Sequence, residues 1–182
     1  MKIHLVTHNK HKFEEYRLLF KNENMEIEWV NTEYVEIQDD DVENVALFSL
    51  NALTGKIHEP FMLEDSGLYI KSLKGFPGPY SSYVNRTIGN EGIMDLMKNI
   101  RERQAVFVAV IGLRMDGQNY LFRGVTEGKI SNEIKGKKGF GFDPIFIPEG
   151  SERTFSEMDI EEKNRYSHRM RAFKKLIEFL KI

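Results

Sequence analysis

Phe61-Met62-Leu63-Glu64-Asp65-Ser66-Gly67 runs three apolar residues straight into two carboxylates, then a small hydroxyl residue and a glycine. A short apolar run closed by a glycine reads as a buried strand, with the glycine as the point where the backbone turns. Glu64 and Asp65 then stand where the strand leaves the core. Successive strand side chains point to opposite faces, so at most one of the two carboxylates aims into a given cleft and the other has a different job. An acid at the carboxyl end of a buried strand is a frequent metal ligand or general base in α/β proteins. It is equally often an acid that faces solvent or caps a turn, and the rest of the chain has to decide between them.

Upstream, Ile3 to Val6 reads as the first strand, and Phe13, Tyr16, Leu19 and Phe20 follow the 3.6-residue period of a helix over Phe13 to Phe20. Thr7-His8-Asn9-Lys10-His11-Lys12 is therefore a strand-to-helix turn. Free N–H groups at a helix start, together with lysines, form a seat for phosphate, although no Walker glycine pattern is present. Met25 to Val30 reads as a second strand. The acidic loop after it, Glu33 to Asp41, lacks the D-x-D-x-D-G spacing of a calcium loop. Asp40 and Asp41 suit the start of the next helix, Val42 to Leu53, while Glu36 between Val35 and Ile37 is a candidate oxygen ligand for a divalent cation. Gly55 marks the end of that helix. Strand, helix, strand, helix, strand predicts an α/β layered fold.

Downstream, Leu68 to Ile70 reads as a short strand extension and Lys74-Gly75-Phe76-Pro77-Gly78-Pro79-Tyr80 as a rigid loop. Helices are expected near Tyr80 and over Asn90 to Ile100, the latter with Ile93, Leu96, Met97 and Ile100 inward. Ala105 to Leu113 is a nearly unbroken apolar strand covered on both faces. Asp116-Gly117 turns it into an antiparallel partner, Tyr120 to Lys129. In Gly136-Lys137-Lys138-Gly139-Phe140-Gly141-Phe142-Asp143-Pro144 the glycines allow close backbone approach to a ligand and the lysines suit an anion. Phe140 and Phe142 offer rings for stacking and Asp143 a hydrogen bond to a heterocycle; the same residues also fit a bulged turn with core phenylalanines. Ile145 to Ile147 is a last short strand. Thr154 or Ser156 can cap one turn, and Ser167 caps a final helix that buries Met170, Phe173, Leu176 or Ile177, and Leu180. Lys163 precedes that helix, and His168 and Arg169 sit in its first turn against the preference of the helix dipole, which marks them as functional candidates.

At 182 residues the chain fits one domain, residues 1–182, with no repeat or linker. A net charge of −2 gives no general attraction to nucleic acid or anionic membrane. The absence of cysteine excludes disulfides, thiolate nucleophiles and cysteine-ligated metals. The apolar run at Met1 to Val6 is too short for a signal peptide, and no segment approaches a membrane span. A soluble, cytoplasmic protein is the expectation.

Thr7-x-Asn9-x-x-Lys12, Glu36-Ile37-Gln38, Glu64-Asp65-Ser66-Gly67, Phe76-Pro77-Gly78, Gly139-Phe140-Gly141-Phe142-Asp143-Pro144 and Ser167-His168-Arg169, in that order, resemble the inosine/xanthosine triphosphate pyrophosphatase family. The likeness covers essentially the whole chain. It departs at Phe48-Ser49-Leu50, where the family often has a lysine, and at Ser82-Tyr83, where the bacterial branch often has an arginine. The resemblance implies an α/β fold with a long mixed, twisted sheet flanked by helices and two lobes around a nucleotide cleft. It also implies hydrolysis of ITP, dITP or XTP to the monophosphate and pyrophosphate with Mg2+, and a homodimer. Glu36 and Asp65 would hold the metal, with Glu64 as second choice, and Asp65 would orient or deprotonate water. Thr7, His8, Asn9, Lys10, His11 and Lys12 would grip the triphosphate, and Ser66 would leave room for it. Phe140 to Asp143, Lys163, His168 and Arg169 would select the base. A pyrophosphatase for modified pyrimidine nucleotides and a nucleotide-binding module without hydrolysis are the competing expectations.

Overall fold

The structure is a computed structural model that describes residues 2–181. Met1 of the N-terminal run lies outside the described residues. Among the described residues seven strands form one mixed sheet in the order β2 (Glu26–Val30), β1 (Lys2–Val6), β3 (Phe61–Ile70), β5 (Gln104–Met115), β6 (Gln118–Ile130) and β7 (Phe146–Pro148), with β4 (Pro77–Gly78) attached to β3. Strand β1 (Lys2–Val6) lies parallel to β2 (Glu26–Val30) on one side and to β3 (Phe61–Ile70) on the other. Strand β5 (Gln104–Met115), β6 (Gln118–Ile130) and β7 (Phe146–Pro148) continue antiparallel from β3. Asp116 and Gly117, both at positive φ, make the tight hairpin between β5 and β6.

Helices cover both faces. Helix α1 (Lys10–Asn22) and α6 (His168–Leu180) close one face over Ile3, Leu5, Met62, Ala109 and Ile111, while α2 (Val42–Leu53) covers Val6, Phe61, Leu63 and Val110 on the other. The far end of the sheet is packed separately: α3 (Ser81–Thr87), α4 (Gly89–Leu96) and the 136–144 loop gather around Leu68, Ile70 and Phe107. Two packed ends on one long sheet are the expected two lobes.

The cleft arises from unequal strand lengths. The β1–β3 ladder ends with Leu5 opposite Met62, and the β3–β4 ladder (β4, Pro77–Gly78) begins only at Leu68 opposite Gly78. Between them the edge of β3 from Glu64 to Gly67 is open. Because β2 and β3 flank β1 on opposite sides, the carboxyl end of β1 is also a topological switch point, where α/β sheets place ligands.

Several boundaries differ from the sequence expectations. Strand β3 does not end at Asp65 but runs ten residues to Ile70, paired with β5 throughout. Gly67 is extended, not a turn; a Cβ there would overlap the carbonyl of Gly78, so the glycine serves the close approach of β4. Helix α1 starts at Lys10 and not at Phe13, because Asn9 caps it by accepting from the Lys12 amide. Helix α4 stops at Leu96 and the chain turns through Asn99 at φ 65°, so Ile93 and Met97 carry the buried face and Leu96 is 47% exposed.

Gly124 of β6 lies under the start of α6, where a Cβ would overlap the His168 carbonyl and the Ala172 amide. Gly124→Ala is expected to lift that helix start at a cost of about 1–3 kcal/mol, the usual size of overpacking. A thermal melt checks this, and an unchanged midpoint would show that the helix tolerates the shift.

Candidate active site

The turn after β1 is fixed from three sides at Thr7. Its amide donates to the Val30 carbonyl at 3.2 Å, its carbonyl accepts from the Trp29 indole at 2.7 Å, and its hydroxyl accepts from the Asn9 amide at 3.1 Å. The Asn9 cap uses the Lys12 amide, which leaves those of Lys10 and His11 as open donors at the helix start. The side chains of the turn diverge. His8 turns to Asn31, at 2.8 Å, and stacks on Tyr34, Lys10 is exposed, and His11 stacks on Phe140. Lys12 points into the open edge of β3, with Nζ 3.0 Å from the Glu64 carbonyl and 3.5 Å from its carboxylate.

Strand alternation separates the two acids of β3, as expected. Glu64 faces α1 and α6, and its buried carboxylate accepts from Arg169 Nε at 3.1 Å and Nη2 at 3.4 Å. Burial pushes its pKa up, but Arg169 and Lys12 more than offset this and hold it at about 2. Both oxygens of Glu64, the second-choice metal ligand of the sequence reading, are thus paired with cations. Asp65 faces the other way, and its Oδ1 accepts only the neighbouring Ser66 amide at 2.9 Å. Burial raises its pKa to about 7 against the pull of Lys12, with the charges of Glu36 and Glu64 adding to the rise. Tyr34 stands beside the same two acids: burial raises its phenol, and Glu36 and Asp65 raise it further. Glu36 itself is exposed on the acidic loop.

Asp65 and Glu36 thus feel one another's charge; the pull of Lys12 on Asp65 is larger than the push of Glu36, and burial is what keeps the Asp65 pKa high. Asp65 at the open edge of β3 and the exposed Glu36 offer hard oxygen donors of the kind Mg2+ takes, its shell being completed by water and phosphate oxygen. Among the described residues no group of three or more His, Asp or Glu is placed to hold a metal ion by itself.

On the Glu64 side the ion pairs continue. Arg169 Nη1 meets Glu15 Oε2 at 2.6 Å, Glu15 Oε1 meets Nζ of Lys163 on α5 (Ile160–Tyr166) at 3.0 Å, and Lys163 meets Asp143 Oδ2 at 2.8 Å. Asp143, Lys163, Glu15, Arg169, Glu64 and Lys12 therefore alternate in sign from the 136–144 loop to the end of β1. Glu15 is not among the residues that the sequence singles out. Its signal is there, since Lys12, Glu15, Tyr16 and Leu19 form one stripe of α1 and an acid on a buried stripe calls for cations. Burial raises the Glu15 pKa, but Arg169 and Lys163 bring it below its ordinary value.

Phe140 lies next to this chain of charges, 5.3 Å from Lys163 Nζ and 5.4 Å from the Arg169 guanidinium. Its backbone N–H donates to Asp143, and the Gly141 carbonyl accepts from Asn90 Nδ2 of α4 at 3.1 Å. Phe142 does not reach the cleft; it is packed with Phe146 and Phe155 in the far core, so of the two rings only Phe140 remains for stacking. His168 is buried, stacked on Phe107 with centroids 4.6 Å apart, and burial pushes its pKa far down, so the ring is neutral. Its Nδ1 is buried without a partner.

The turn after β1, a carboxylate whose pKa is raised to about 7 and a row of buried cations beside the ring of Phe140, on which His11 stacks, thus come together in the fold. A model of the Ham1 family matches residues 3–179. The chain belongs to the Ham1 family. It is 55% identical over 182 residues to a dITP/XTP pyrophosphatase of Pyrococcus horikoshii, covering 100% of this chain and 98% of that one. A protein of the same description from Saccharolobus solfataricus is 46% identical over 180 residues, covering 99% and 94%. Among solved structures, the Staphylococcus aureus Ham1 protein superposes with a TM-score of 0.85 at 27% identity, covering 100% and 98%. A HAM1 protein of Coxiella burnetii gives 0.85 at 29% with the same coverage. The long mixed sheet of this Ham1 chain is therefore the fold of its relatives. No helix among the described residues is long and apolar enough to cross a membrane.

Proposed function

We propose that this Ham1 protein hydrolyses ITP, dITP and XTP to the nucleoside monophosphate and pyrophosphate, and so clears deaminated purines from the nucleotide pool. The observation that carries the reading is the row of buried donors beside Phe140. Lys163 has three N–H groups and uses two, on Asp143 and Glu15; Arg169 has five and uses three, on Glu64 and Glu15. The remaining donors suit a 6-oxo group and meet another donor when adenine presents its 6-amino group. His168, neutral, adds an imidazole whose Nδ1 still lacks a partner.

In this reading Thr7, Asn9, Lys12 and the open amides of Lys10 and His11 hold the triphosphate, and Ser66 leaves space beside it. Asp65 takes the proton of the attacking water, from a buried position that raises its pKa to about 7 in the metal-free protein. Lys12 offsets charge on the departing pyrophosphate. Glu36 and Asp65 would hold Mg2+, which supplies charge neutralisation of the phosphates and a more acidic water. We take the active form to be a cytoplasmic homodimer built from one domain, which gel filtration checks for the dimer.

Each donor left unpaired by adenine costs about 1–3 kcal/mol, so two such contacts give a preference of roughly 30-fold to 25,000-fold. The test is pyrophosphate release from ITP, XTP, dITP, GTP and ATP with Mg2+ and with chelator. Turnover of ITP and XTP at least about 30-fold above ATP, lost with chelator, is expected. Equal turnover of all five would remove the base argument, and ITP binding without turnover would leave a binding module.

A further inference from the structure

The first turn of α1 places a side chain against the base pocket that the reaction above does not use. The His11 ring lies on Phe140 with centroids 5.4 Å apart and planes 14° from parallel. Phe140 is the ring on which the purine is proposed to stack, so any role of His11 at that ring rests on the same reading. A purine needs one bare face of Phe140 at van der Waals distance, about 3.5 Å between planes, and a parallel neighbour already covers one. The other groups close to the ring, Lys163 and Arg169, cannot yield: their side chains are each 4% exposed and are held by Asp143, Glu15 and Glu64. His11 is exposed, and among the described residues its ring makes no hydrogen bond or ion pair. Of these three neighbours of the Phe140 ring, His11 alone can leave without breaking a buried charge pair.

We propose that His11 is a placeholder for the base: in the empty site its imidazole covers the face of Phe140 that the purine takes, and nucleotide binding displaces it. The stack keeps an apolar ring out of water until substrate arrives. Its loss opposes binding by the worth of one aromatic pair, about 2- to 10-fold in affinity. The same opposition applies to every base that stacks there, so His11 sets how tightly nucleotides bind and leaves the choice among them to Lys163 and Arg169.

The test is calorimetric titration with ITP, metal withheld so that nothing is hydrolysed, on the wild type, His11→Ala, Phe140→Ala and the double variant. Inorganic pyrophosphate serves as the control ligand. His11→Ala is expected to bind ITP about 2- to 10-fold more tightly and pyrophosphate unchanged. Phe140→Ala weakens ITP, and adding His11→Ala to it restores nothing, because the ring that His11 covers is gone. Weaker ITP binding by His11→Ala would make His11 a wall of the pocket and overturn the proposal, as would an unchanged affinity. Weaker pyrophosphate binding would make it a phosphate contact and also overturn it. A gain that persists without Phe140 would place the effect elsewhere and overturn the proposal as well. If Phe140→Ala binds ITP as the wild type does, the stacking role of Phe140 fails and this inference with it. A normal Phe140→Ala defect with no gain in His11→Ala defeats the inference alone.

Discussion

Asp65→Asn is expected to lose turnover by about a thousandfold, within the usual range for a positioned base, while making the metal-free protein more stable at pH 8. Both effects have one cause. Asp65 is held in a buried position that raises its pKa from 3.8 to about 7, with Glu36 and Glu64 as like-charged neighbours. A raised carboxyl pKa means that the folded state binds the proton more tightly than the unfolded one. Stability therefore falls as pH rises from about 4 to about 7, and the whole cost is present above that. One pKa unit is about 1.4 kcal/mol, and solvent at the open edge of β3 reduces the effect, so a gain of about 1–3 kcal/mol is reasonable for the neutral isostere. For a chain of this size that raises the melting point by roughly 2–10 °C. Melts at pH 8 and pH 4 without metal check it: the variant should melt higher at pH 8 and together with the wild type at pH 4. A lower melting point at pH 8 would show that the Asp65 charge is stabilised by something other than a bound cation.

The next residue behaves in the opposite way. Glu64→Gln is expected to destabilise by about 3–5 kcal/mol, the usual cost of breaking a buried ion pair from one side. The charge removed leaves Arg169 and Lys12 facing a neutral amide, and the ion-pair row loses its link between the 136–144 loop and the start of α1. Here the pKa is lowered from 4.5 to about 2, so the contribution of Glu64 is complete above about pH 4.5 and is lost as pH falls towards 2. The gap in melting point between wild type and variant should be wide at pH 7 and narrow at pH 3. With Arg169 freed from its anchor, the preference for ITP over ATP should shrink as well. Equal stability at pH 7 would sink the assignment of Glu64 as the anchor of Arg169. Two neighbouring carboxylates thus give melts that move in opposite directions, a pattern that a general loss of packing does not produce.

Much of this was legible in the chain. The period-3.6 stripe of α1, the alternation through Met62 and Leu63, the Asp116-Gly117 hairpin and the Ser167 cap are local patterns whose geometry is set within a few residues. The candidate site residues were legible as types: the basic turn after β1, the acids of β3, Lys163 ahead of α6 and His168 and Arg169 in its first turn. Phe142 was not, because a phenylalanine in a glycine-rich loop reads equally well as a ligand platform and as core, and only the packing of Phe146 and Phe155 around it chooses.

The sequence by itself determined the order of elements, the opposite facing of Glu64 and Asp65, and the set of side chains available for nucleotide chemistry. These depend on backbone periodicity, which is a property of neighbours in the chain. Only the tertiary structure decided that β3 runs on past Gly67, that Glu64 is consumed by Arg169 and Lys12 while Asp65 is left near neutrality, that Glu15 joins the row, and that His11 covers Phe140. Those outcomes rest on contacts between residues far apart in sequence, where burial and the sign of the nearest charge set the energy.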